Sequence, residues 1–177
     1  MVTPHDLFNH SLEPNKEEKR NLVEALPQQV EETNDETDAM VPDRDAFISS
    51  MVKQAEYQSY MKFGTRIKPM IEDEFREVIL PNIEKVIGEI TMQFPDEDLS
   101  QLAVTEMPGK GQSEKIFHIL NQNTNQDVLR FHVRRDHPPL EGFTFNFHYH
   151  TAHDQFQTHH KLGGIYWDKN TPPKWMS

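Results

Sequence analysis

The residues best suited to chemistry lie between Phe143 and Trp167, in the run FTFNFHYHTAHDQFQTHHKLGGIYW. There His148, His150, His153, His159 and His160 fall within thirteen positions. Neutral imidazole is a common ligand for first-row transition metals. The spacing His148-x-His150 suits a strand, because residues two apart share one face with their Cβ atoms about 6.5–7 Å apart. Both rings can then reach one ion through Zn–N bonds of about 2.0–2.1 Å. A third ligand can come from His132 on a neighbouring strand, or from His153, Asp154, His159 or His160 in the loop after His150. The implied cofactor is a divalent transition metal such as zinc, and an open coordination position would allow hydrolytic chemistry with Asp136 or Asp154 assisting.

Strict alternation along the flanking segments gives this face its composition. Phe143, Phe145, Phe147 and Tyr149 point one way, and Thr144, Asn146, His148 and His150 the other. In Gln126–Arg135, Leu129, Phe131 and Val133 oppose Arg130, His132 and Arg134. In Lys115–Asn121, Phe117 and Ile119 oppose Ile116, His118 and Leu120. One face is therefore aromatic and the other collects histidine and arginine. A second reading of the polar face is an anion site, with Arg130, Arg134 and Asn146 orienting a carboxylate or phosphate. A third makes the histidines structural, hydrogen-bonded to Asp136, Asp154 or Asp168 under a cover of Gly163–Ser177 anchored by Trp167 and Trp175.

Other chemistries find little support. There is no cysteine, which removes thiolate metal sites and thiol nucleophiles. No GxSxG elbow occurs, GKGQS lacks the spacing of a phosphate-binding loop, and no pair of carboxylates shares a strand face.

The elements that must position these residues come earlier in the chain. Residues 1–45 carry 12 acidic and 4 basic side chains, a net of −8 of the total −11, so residues 1–43 read as an acidic, flexible tail or linker. The near-balanced remainder offers no basic footprint for nucleic acid. Asp43 and Asp45 suit a helix start, and apolar spacing predicts a helix to about Lys62 that Gly64 ends. A longer helix comes next, over about Lys68–Phe94, with a stripe from Ile71 to Ile90 and a kink or split at Pro81. From Ala103 the period becomes two: a short strand over Ala103–Met107, then Lys115–Asn121, Gln126–Arg135 and Phe143–His150 joined by tight turns. The fold class is α+β, one domain over residues 44–177, with a mainly antiparallel meander packed on one face by two or three helices. No stretch is long and apolar enough to span a bilayer.

Several blocks, in order, carry a family resemblance: YMKFGTRIKPMIEDEFREVILPNIEKVI, EKIFHILNQNT, LRFHVRRDHPP, FNFHYHTAHDQFQTHHKLG and IYWDKNTPPKWMS. Together they span most of Tyr60–Ser177 and resemble the YpjP-like proteins of bacilli. The resemblance implies an extracytoplasmic domain behind an acidic linker, with a membrane tether upstream. It brings no activity, cofactor, protein partner or catalytic residue with it.

Overall fold

The structure is a computed structural model and describes residues 43–176. The acidic tail expected over residues 1–43 therefore lies outside the described residues, apart from Asp43.

Helix α1 spans Arg44–Glu74, with Asp43 as N-cap accepting from the Asp45 amide. Gly64 sits inside it at φ 79°, ψ −178°, far from helical, so the expected break is real and two helical halves meet there at a kink. That conformation is essentially closed to residues with a Cβ, which explains why glycine stands there. A wide turn over Phe75–Ile79 comes next, closed by a bond from the Leu80 amide to the Phe75 carbonyl, and α2 spans Leu80–Thr91.

The reason for the wide turn can be read in the spacing. Ile67, Ile71, Phe75, Ile79, Ile83 and Ile87 are all buried and all four apart. On a helix of 3.6 residues per turn, such a row drifts about 40° at each step. A π turn takes up that drift and keeps the row facing one surface. It also sits just before Pro81, which has no amide to give the regular ladder.

After a 3-10 segment at Asp96–Gln101 come strands β1 (Leu102–Val104), β2 (Lys115–Asn121), β3 (Gln126–Asp136), β4 (Phe143–Thr151) and β5 (His160–Asp168). All neighbours are antiparallel, in the order β1-β2-β3-β4-β5. The meander is as expected, with one addition. His160–Asp168 is a fifth strand and not a covering segment. Gly163 explains why it is easily overlooked: a Cβ there would stand 2.8 Å from Ile79 Cδ1, so the close passage of the helix demands a residue with low strand preference.

The helices cover the aromatic face. Phe75 meets Phe147 at 5.6 Å between ring centroids, Phe63 meets Phe147 at 6.0 Å, and Phe117 stacks on Phe131 at 4.6 Å. Trp167 and Trp175 belong to this side as well, 5.7 Å and 4.8 Å from the Phe145 ring. The expectation that they cover the polar face is thus corrected: both complete the core.

Two bulges adjust the faces. Between Lys115 and Phe117, β2 carries an extra residue, so Ile116 turns into the core although alternation assigns it to the histidine face. Between Leu129 and Asp127, β3 carries an extra Val128, which packs on the core and puts Asp127 on the histidine face.

Candidate functional site

The register of β3 against β4 pairs His132 with His148, Arg130 with His150 and Arg134 with Asn146. The three imidazoles of His132, His148 and His150 converge: each offers a nitrogen, and these lie within 4.8 Å of one another. Ring centroids stand 5.7 Å apart for His132–His148, and 5.2 Å for both His132–His150 and His148–His150. His148 is 1% exposed. Its ring is capped by His159, stacked at 4.1 Å and 12°, and the same ring lies edge-on to His150 at 4.5 Å.

Partners fix the tautomers. Asp127 can only accept, so His118 Nδ1, 3.2 Å from its carboxylate, carries the proton. His118 Nε2 is then an acceptor, and His132 Nε2, 3.2 Å away, donates to it. The Nδ1 lone pair of His132 is left over. His148 Nδ1 donates to the Asn146 carbonyl at 3.3 Å, which frees Nε2. The carbonyls of Phe156 and Thr158 hold the His150 ring, while its Nδ1 is buried with no hydrogen-bond partner, as is His148 Nε2. Each ring therefore spends its N–H outside the cluster and keeps a lone pair. Buried polar atoms are usually hydrogen-bonded, so two bare ring nitrogens in one cluster require a reason.

The electrostatics keep the rings neutral. Burial, reinforced by the mutual repulsion of neighbouring imidazoles, takes His132 down to about 3 and His148 to about 4. Burial likewise takes His118 to about 4, against the pull of Asp127, and lowers His150. Neutral imidazole is the form that binds metal.

The other candidates are placed elsewhere. His153 is exposed and bonds Gln93 Oε1 at 3.0 Å; His160 stacks on Tyr149 at 4.8 Å, on the helix side of β5. Arg130 bonds Asp127 at 2.9 Å and lies 3.8 Å from the centroid of the Phe156 ring. Arg134 bonds Asp136 at 2.7 Å, and Asn146 donates to the same carboxylate at 3.1 Å. The arginines thus hold carboxylates of the chain itself. Asp136 is engaged by those two residues, and Asp154 accepts from the amides of Gln157 and Thr158.

Two carboxylates escaped the sequence reading. Glu114, just before β2, places Oε1 3.4 Å from His148 Nε2. Asp127 is hidden by the Val128 bulge, which reverses its face. Its only sequence signal is the three-residue spacing to Arg130.

An antiparallel sheet with a helix-backed aromatic face and a histidine cluster on the other defines an α+β domain carrying a candidate metal centre. The chain belongs to the YpjP-like protein family, whose family model matches residues 42–175. It is similar to "Uncharacterized protein YpjP" of Bacillus subtilis (strain 168), 53% identical over 133 residues, which cover 75% of this chain and 66% of that relative. The chain therefore matches just under two thirds of the relative's length. No solved structure matches.

Proposed function

We propose that the domain binds a divalent transition metal, zinc foremost, through His132, His148 and His150. One observation carries this reading: the three rings each bring a nitrogen within 4.8 Å of the others, and His148 Nε2 and His150 Nδ1 are buried without a hydrogen-bond partner. Nitrogens on one tetrahedral zinc stand roughly 3.3 Å apart for bonds of about 2.0 Å, so the rings must draw in by about 1.5 Å at the widest pair. A donor set of imidazoles without thiolate suits zinc, cobalt or nickel over the softer copper(I).

The test is the metal content of tag-free protein beside the His148→Ala, His150→Ala variant. One zinc per chain, lost in the variant, is expected. No metal in the wild type after incubation with zinc and desalting sinks the reading. We also infer that the domain works outside the cytoplasm behind an upstream tether. Its support is the resemblance of the blocks between Tyr60 and Ser177 to the YpjP-like proteins of bacilli. Protease accessibility on intact cells tests it, and protection of the domain until lysis would refute it.

A further inference from the structure

A carboxylate stands beside one of the three imidazoles, that of His148, and its geometry is odd for either a hydrogen bond or a chance neighbour. Glu114 Oε1 is 3.4 Å from His148 Nε2, yet that nitrogen has no hydrogen-bond partner. The oxygen lies near the nitrogen but off the direction a shared proton would take. Nor is a proton expected there, since the His148 N–H is spent on the Asn146 carbonyl through Nδ1. Two acceptor atoms thus stand 3.4 Å apart with no proton between them. Such a contact repels unless a cation lies between them. Bonds of about 2.0–2.1 Å to a shared tetrahedral ion separate their donor atoms by roughly 3.3–3.4 Å. The spacing of Glu114 from His148 is the spacing of two ligands.

The backbone that presents Glu114 is pinned. Its carbonyl accepts from the Val133 amide at 2.9 Å, and the Gly109 amide bonds the Lys115 carbonyl at 3.0 Å, closing the loop at residues 109–115. From beneath, fully buried Lys62 drives its ammonium into that loop and donates to the carbonyls of Gly109 and Ser113, the latter at 2.8 Å. A buried lysine is a costly way to tie down a loop that does nothing. It holds in place the residue whose side chain reaches His148.

We propose that Glu114 is the fourth ligand of the centre, delivered by the 109–115 loop that Lys62 anchors, giving a set of three imidazoles and one carboxylate for a divalent ion of the zinc–cobalt class. This rests on the metal reading above and adds the anionic ligand to it. Asp127, through His118, then orients His132 from outside the ligand set, as carboxylates commonly do behind metal-bound imidazole.

The experiment uses the full chain loaded with Co2+, in wild-type, Glu114→Gln and His159→Ala forms, with near-UV circular dichroism as the control for folding. Affinity is read by competition with a chromophoric chelator, and coordination by the visible d–d bands. We expect one Co2+ per chain in the wild type, with intense tetrahedral bands. Glu114→Gln should still bind one, but more weakly by at least the ~10–100-fold that loss of an outer-shell partner brings, and with shifted bands. His159→Ala should leave the bands in place. Wild-type affinity and spectrum in Glu114→Gln would overturn the proposal while leaving a three-histidine centre standing. Shifted bands in His159→Ala alone would give the fourth position to His159 and overturn it too. Absence of Co2+ binding by the wild type would end both readings together.

Discussion

Lys62 offers the sharpest prediction outside the histidine cluster. Burial lowers its ammonium from an ordinary 10.5 to about 8, against a weaker upward pull from Glu114. Below pH 8 the lysine is charged both folded and unfolded, and the desolvation cost is present in full. Between about 8 and 10.5 the folded chain releases the proton while the unfolded chain retains it. The unfolded state then binds more protons, so stability rises with pH in that window. At about 1.4 kcal/mol per pH unit, the gain between pH 7 and about 9.5 is roughly 2 kcal/mol. Lys62→Met removes the titrating group. Urea denaturation of both proteins at the two pH values isolates the effect, since other tyrosines and lysines titrate alike in each. With a slope near 2 kcal/mol per molar, the wild-type midpoint should gain about 1 M relative to the variant on going to the higher pH. Parallel changes in the two proteins would refute a buried, titrating Lys62.

Zinc at a hundredfold excess over Kd should stabilise the fold by about 2.7 kcal/mol, or roughly 5–11 °C in Tm, and do nothing for the His148→Ala, His150→Ala variant; differential scanning fluorimetry reads this. Without metal the domain should lose stability as pH falls from 6.5 towards 4. His118, His132 and His148 stay neutral in the fold while the unfolded chain takes up protons, and a Tm-versus-pH series that is flat over that interval would contradict it. Asp127→Asn should weaken zinc binding about 10–100-fold in a chelator competition while leaving the circular dichroism spectrum intact. Gly64→Ala should cost about 1–3 kcal/mol in denaturant titrations, because φ 79°, ψ −178° excludes a Cβ.

Much of the fold is legible in the residues because local signals agree with the tertiary outcome. Lys115–Asn121, Gln126–Asp136 and Phe143–Thr151 alternate apart from the bulges at Ile116 and Val128 and are bounded by Asn-Thr-Asn and Pro-Pro, so the strands and the aromatic face emerge from period and turns. The convergence of His132, His148 and His150 emerges as well, because β3 and β4 pair without a bulge from Leu129 to Asp136. What alternation misses is non-local. Strand β5 needs Gly163 for the passage of Ile79, and nothing in HKLGGIYWD alone discloses that neighbour. Trp167 and Trp175 look like cover for a polar sheet face until Phe145 and Phe63 are seen to receive them. Glu114 and Asp127 elude the reading for two reasons: one sits in a loop fixed from a distance by Lys62, the other behind a bulge.

The bulge at Val128 bears on which changes of chain length the domain can absorb. Val128 is the surplus residue of β3, sharing with Leu129 the place opposite Ile119. Deleting it would join Asp127 directly to Leu129, and ordinary alternation would still leave the carboxylate beside His118. A one-residue deletion at 128 should thus be nearly silent for the cluster. The same deletion between Leu129 and Arg134 would invert every side chain on one side of it, sending His132 into the aromatic layer or Phe131 out of it. Tolerance to insertion and deletion along β3 should therefore be sharply uneven, permissive at one position and closed over the next six.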